Sequence, residues 1–186
     1  GSLVAGTTDS GLVLIESDSV RAVMPLPSRV MDLHLDSSKR LWIGLYSGGF
    51  LSVDTSSWHT LESYTAHKGV PFRQVRSFAS DSSGNLYIGA VNGLFRLNPS
   101  GELSEESLSG RTGSPVCGVF VDRDDNLWTG TYYNGVYYAN VSSFPFENVP
   151  TPPGSDIVRS LVQDHRGDIL MLTDNFGMWK YSSGTW

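Results

Sequence analysis

Short apolar runs alternate with clusters of turn-forming residues along the chain, and the pattern repeats. Leu41-Trp42-Ile43-Gly44 is preceded by Val30, Leu33 and Asp36 and followed by Gly49-Phe50. The same register returns as Val75, Phe78, Asp81, Leu86-Tyr87-Ile88-Gly89 and Gly93-Leu94. It returns again as Val116, Val119, Asp122, Leu127-Trp128-Thr129-Gly130 and Gly135-Val136. A fourth copy reads Val158, Leu161, Asp164, Ile169-Leu170-Met171-Leu172 and Gly177-Met178. Every copy has six residues from Val to Asp and five from Asp to the next apolar residue, and the aspartates lie 45, 41 and 42 apart. A truncated copy opens the chain as Leu3-Val4-Ala5-Gly6 and Gly11-Leu12-Val13.

Each copy reads as short antiparallel strands. Strand A carries Val-x-x-Leu, and the turn after it opens with Asp, whose carboxylate can accept backbone N–H bonds. Strand B is Leu-Trp-Ile-Gly or its equivalent. Ser47-Gly48-Gly49, Asn92-Gly93 and Asn134-Gly135 mark the hairpin to strand C. Strand D falls in the less regular remainder. Four antiparallel strands every ~40–45 residues define a β-propeller blade. The predicted fold is therefore all-β, a partial propeller of about four and a half blades, with units at 3–27, 28–69, 70–113, 114–155 and 156–186. Trp42, Tyr87 and Trp128 are expected to fill the gaps between blades. Gly6, Gly44, Gly89 and Gly130 close strand B, where close packing or a bend accounts for them.

Composition agrees. The 186 residues include 20 Gly and 27 Ser but only 3 Lys and 6 Glu, with 5 Trp, 8 Tyr and 8 Phe. Turn formers thus outnumber surface helix formers, which excludes bundles and coiled coils. The net charge of −6 leaves no basic stripe for nucleic acid or anionic membranes. No apolar run is long enough to span a bilayer as a helix. The single Cys117 forbids an internal disulfide, and its apolar surroundings predict a buried thiol.

The motif Asp-x-x-Gly-x-Leu-Trp-Ile-Gly followed by Gly-Gly-Leu resembles the two-component regulator propeller repeat. It is seen at 36–50, 81–94 and 122–136, with a weak copy at 164–178 in which Leu170 replaces the aromatic and Leu172 the glycine. The resemblance covers nearly the whole chain. It implies the periplasmic sensor region of a Bacteroidetes hybrid two-component histidine kinase. In that family two seven-bladed propellers and a small β-sandwich precede a transmembrane helix and the kinase, and the ligand is a breakdown product of a complex polysaccharide. The implied partners are an oligosaccharide, the remaining blades and the kinase region of a parent chain.

Candidate chemistry is sparse apart from one loop set. The repeated aspartates are expected to cap turns. They do not form an aspartate box, which has five residues from Asp to Trp where Asp36–Trp42 and Asp122–Trp128 have six. His34, His59, His67 and His165 lack metal-ligand spacing, and no nucleophile elbow or phosphate loop occurs. No catalytic residue, metal site or cofactor is expected. The B–C loops, by contrast, carry aromatics beside amides and carboxylates, a combination suited to sugars. The predicted ligand-binding residues are Tyr46, Tyr132, Tyr133, Asn134, Asp174, Asn175 and Phe176, with Arg73, Arg76 and Arg159 at the starts of strand A. Arg29 is similarly placed, and these arginines suit the carboxylate or sulfate of an acidic glycan.

The six aromatics of residues 132–146, Tyr137, Tyr138, Phe144 and Phe146 among them, are assigned mostly to blade packing. Residues 100–113, with Glu102, Glu105 and Glu106, read as a solvated loop or outer-edge strand needing no partner. Three other functions stay open: a propeller enzyme resembling virginiamycin B lyase, a protein-interaction propeller, and a scaffold whose ligand binds elsewhere. Gly1-Ser2 reads as a cloning remnant. A seven-bladed ring would need roughly 290 residues, so the chain is expected to be part of a larger propeller whose open ends self-associate, as in a homodimer.

Overall fold

The computed structural model describes residues 2–17, 19–110, 112–143 and 145–186. Gly1 and Phe144, assigned above to a cloning remnant and to blade packing, lie outside the described residues. The chain divides into two compact units, residues 1–77 and 78–186. Among the described residues all regular structure is β-strand.

In the first unit, β1 (Leu3–Gly6), β2 (Leu12–Glu16) and β3 (Ser19–Met24) form a three-stranded antiparallel sheet in sequence order. Next come β4 (Val30–Leu35), β5 (Arg40–Leu45), β6 (Phe50–Asp54) and β7 (Thr60–Tyr64), a four-stranded blade. A small hairpin, β8 (Ala66–His67) with β9 (Val70–Pro71), follows; nothing in the repeat pattern announces it. Leu12, Leu41, Ile43, Leu45, Leu51 and Val53 make the core of this unit, with Val4 and Val30 packed against it. Phe50 stacks on Tyr64 (4.8 Å, 11°) and meets Phe72 edge-on.

The division falls within β10 (Val75–Ser80), the first strand of a sheet that continues as β11 (Leu86–Ala90), β12 (Gly93–Leu97) and β13 (Leu103–Glu106). In the second unit follow β14 (Val116–Val121), β15 (Asn126–Thr131), β16 (Val136–Asn140) and β17 (Glu147–Val149). The last sheet holds β18 (Val158–Gln163), β19 (Ile169–Thr173) and β20 (Met178–Tyr181). Tyr87, Leu94, Val116, Val119 and Tyr137 belong to one core of this unit; Trp128, Val136, Val158, Leu161, Ile169 and Met171 form the other. Tyr87 and Trp128 thus share a core with strand A of the next sheet, as expected, while Trp42 meets Phe50 and Tyr64 of its own sheet.

Why the repeat keeps glycine and valine in register is now visible. A Cβ built on Gly89 would lie 2.8 Å from Val116 Cγ1, and one on Gly130 only 2.5 Å from Val158 Cγ1. Gly6 stands in the same relation to Val30, at 2.4 Å. Each glycine lets the valine of the following sheet press against the backbone.

The aspartate turns are built alike. The backbone N–H four residues on donates to the carboxylate in all four copies, at 2.9–3.0 Å for Asp36, Asp81, Asp122 and Asp164. A second bond was not anticipated. The strand-B aromatic six residues on donates to the same carboxylate: Trp42 to Asp36 at 3.0 Å, Tyr87 to Asp81 at 3.0 Å and Trp128 to Asp122 at 2.8 Å. The aspartates therefore fasten the aromatic wedges as well as the turns. Cys117 is buried, as expected.

Residues 100–113 supply the outer-edge strand of their sheet, one of the two forms expected of them, and add contacts that the sequence did not announce. They include β13, the fully buried Leu108, and an ion pair from Arg96 to Glu106 at 2.9 Å.

Candidate ligand-binding site

Three of the sheets share a backbone irregularity that sets up the candidate site. The register of strand A against strand B shifts between Val30 and Asp32, between Val116 and Gly118, and between Val158 and Ser160. A bulge leaves one residue unpaired and re-aims its side chain. Those residues are Met31, Cys117 and Arg159. Arg159 thus leaves the ladder at the start of β18, beside the loop between β19 and β20. In the sequence it is marked by its place at the start of strand A, on the side of the B–C loops.

The B–C loops are braced by a threonine–glycine pair that the repeat reading also missed. Thr131 Oγ1 donates to the Gly135 carbonyl at 2.9 Å and accepts from the Asn134 N–H at 2.9 Å. Thr173 does the same with Gly177 and the Phe176 N–H, at 3.0 and 3.3 Å. Thr7 repeats the pattern with Gly11 and Ser10. Gly135 adopts φ +67°, which few other residues tolerate at a tight turn. These short brackets close the loops at their bases.

In the second unit the tips converge on Arg159. Its guanidinium forms a two-pronged ion pair with the Asp174 carboxylate and lies 5.2 Å from the Tyr132 ring centroid. Tyr132 meets Tyr133 edge-on, centroids 4.7 Å apart. Tyr133 is 65 % exposed and Phe176 53 %. Phe176 lies over Gly154, whose built Cβ would come 2.7 Å from the ring. Asn175 is exposed at the loop tip. Asn134 lies half-buried, its carbonyl accepting from Asn148 Nδ2 at 3.3 Å. Asp174's hydrogen bonds raise the Arg159 pKa far above its ordinary value. Reciprocally, Arg159's hydrogen bonds hold Asp174 below the usual carboxylate range.

Tyr46, Arg73 and Arg76 belong to the first unit and are brought together there. Tyr46 accepts from the Gln74 N–H at 3.1 Å through its carbonyl, and Ser47 bridges to Arg73. Arg29 lies over the Tyr46 ring at 4.5 Å. Arg76 donates to Gln74 Oε1 through Nε at 3.2 Å and through a terminal nitrogen at 2.5 Å. The ten candidate residues therefore form two groups, one in each unit. One sequence expectation changes: Arg159, offered as a seat for an acidic glycan, is already engaged by Asp174.

Among the described residues no cluster of His, Cys, Asp or Glu could hold a metal ion. The second unit also has a cleft of about 470 Å³ lined by Trp128, Tyr138, Glu147, Asn148, Val149, Pro150 and Tyr181. What the loop cluster offers is exposed ring faces, an amide, a carboxylate and guanidinium N–H donors. That is recognition chemistry for a polyhydroxylated ligand.

No family model and no curated protein sequence matches the chain. Solved structures do. The extracellular domain of BT3049, described as a hybrid two-component system of B. thetaiotaomicron, superposes with TM-score 0.79 at 18 % identity. That match covers 100 % of this chain and 28 % of the other. The extracellular domain of BT4673 from the same organism, also described as a hybrid two-component system, gives 0.77 at 16 %, covering 96 % and 25 %. Virginiamycin B lyase from Staphylococcus aureus gives 0.72 at 14 %, covering 96 % and 68 %. These likenesses establish the fold as that of a β-propeller. The resemblance read from the repeats has its structural counterpart in the two sensor-system domains, and the chain spans about a quarter of their length.

Proposed function

We propose that this chain is part of the ligand-sensing propeller of an extracytoplasmic two-component receptor. In this reading it binds a polysaccharide-derived oligosaccharide without altering it. The observation that carries the binding role is the Tyr132–Tyr133–Arg159–Asp174–Phe176 set, in which the half-buried Tyr132 ring lies by the Arg159–Asp174 ion pair, the exposed Tyr133 meets Tyr132 edge-on, and the exposed Phe176 stands in the loop that carries Asp174. An exposed ring stacks on the apolar face of a pyranose while the flanking polar groups take its hydroxyls. The receptor context is supported by the repeat motif and by the similarity to extracellular domains of hybrid two-component systems. The location proposed with it is the periplasm, as part of a parent chain anchored in the inner membrane. The partners are the remaining propeller blades and kinase region of that chain, to which the ligand's conformational signal passes. Catalysis, on this view, belongs to the kinase alone.

A thermal-shift screen of polysaccharide-derived oligosaccharides, with chromatography of each mixture afterwards, tests the proposal. A ligand that binds only the folded chain raises its melting temperature by mass action. The expected result is a dose-dependent rise with at least one oligosaccharide and no new product. Product formation overturns the non-catalytic reading; no stabilisation by any saccharide overturns the binding role.

A further inference from the structure

We infer that Asp174 makes the second unit's loop cluster selective for uncharged sugars, by occupying the Nε edge of the Arg159 guanidinium and setting a like charge beside any anionic sugar that approaches it. This rests on the glycan-binding reading of the same loops and specifies the ligand class.

A guanidinium recognises a carboxylate or sulfate best through two parallel N–H bonds from one edge. Here Arg159 Nε and one terminal nitrogen already point along such an edge, at the two oxygens of Asp174. The guanidinium carbon lies over the Tyr132 ring. An incoming anion would have to displace Asp174 or sit beside it, against a like charge.

A neutral sugar meets no such conflict. Arg159 and Asp174 keep 39 % and 30 % of their side chains exposed, so the pair is reachable. The pair has no net charge and presents both donors and acceptors, which matches hydroxyl groups that are themselves both. Tyr133 and Phe176 supply the ring faces. Asp174 also lies in a braced loop, its N–H donating to the Ile157 carbonyl at 3.2 Å, which holds the carboxylate beside Arg159.

The test is a saccharide array of matched neutral and acidic oligosaccharides, including methyl-esterified and free-acid oligogalacturonides, probed with the 186-residue chain. Among the saccharides bound, neutral members are expected to bind at least about tenfold tighter than their acidic counterparts. Asp174→Asn frees the guanidinium edge and is expected to raise affinity for the acidic members about tenfold. The double variant Arg159→Gln/Asp174→Asn lacks that gain, which separates charge release from a mere loosening of the loop. Circular dichroism melts establish that both variants are folded. Equal or tighter binding of acidic members by the unmodified chain overturns the selectivity alone. So does an Asp174→Asn protein with unchanged preference. If the unmodified chain binds no saccharide, the glycan-binding reading fails and the selectivity with it.

Discussion

The carboxylate of Asp122 accepts a hydrogen bond from the indole Nε1 of Trp128 at 2.8 Å, and both side chains are buried. The Asp81–Tyr87 and Asp36–Trp42 pairs repeat it. A constant six-residue offset from the turn to the aromatic therefore has one physical cause: the same carboxylate closes the turn and holds the wedge between sheets. Hydrogen bonds to a charged group contribute roughly 1.5–3 kcal/mol. Asp122→Asn, which keeps the shape but removes the charge, is expected to destabilise the chain by about 2 kcal/mol in urea titrations. Trp128→Phe should cost a similar amount, and the double variant less than the sum.

The glycine–valine contact gives a second prediction. A methyl group on Gly130 would enter the space of Val158 Cγ1, which is buried on both sides. Gly130→Ala is expected to cost about 2 kcal/mol through overpacking. Adding Val158→Ala opens that space, so the pair should show a favourable coupling of about 1 kcal/mol in denaturant titrations. Strict additivity would mean that the two residues do not press together.

A third prediction concerns pH. Burial disfavours the charged imidazole of His34 and lowers its pKa below the ordinary 6.5, although nearby Asp36 pulls the other way. The unfolded chain therefore takes up this proton first as pH falls. Stability from this group is complete above 6.5 and is lost as pH drops towards the lower folded value. Melting temperature should fall over that window, and His34→Gln should flatten the dependence. An unchanged slope in the variant would mean that His34 titrates as it does in the unfolded chain.

How much of this was legible beforehand depended on what repeats. The spacing of Val, Asp, aromatic and Gly along strands A and B is fixed by contacts within one sheet or to the next, so it recurs and can be read. Strand D is different. In β7 and β3 most positions are exposed, so no apolar rhythm marks them. The β8–β9 hairpin occurs once and has no counterpart to compare. The Arg159–Asp174 pair was invisible for another reason: it depends on a backbone bulge and on two elements fifteen residues apart in sequence. The sequence placed both residues in one candidate site but not in contact with each other.

The last sheet carries a fourth prediction. Leu172 and Met178 face each other across β19 and β20 and are 48 % and 68 % exposed. In the preceding sheet the residues at these places, Gly130 and Val136, are covered. Exposed apolar pairs of this kind favour association. Sedimentation velocity should show a concentration-dependent dimer that Leu172→Lys/Met178→Lys weakens. A monomer at every concentration would contradict this.

Sugar binding by the loop cluster is the central property to measure. The direct measurement is isothermal titration of the best stabilising oligosaccharide into the unmodified chain and into Tyr132→Ala/Tyr133→Ala. Loss of two exposed or half-exposed rings should abolish the binding heat, with the melting curve of the free protein little changed. Unchanged affinity in the folded variant would contradict the assignment of the site.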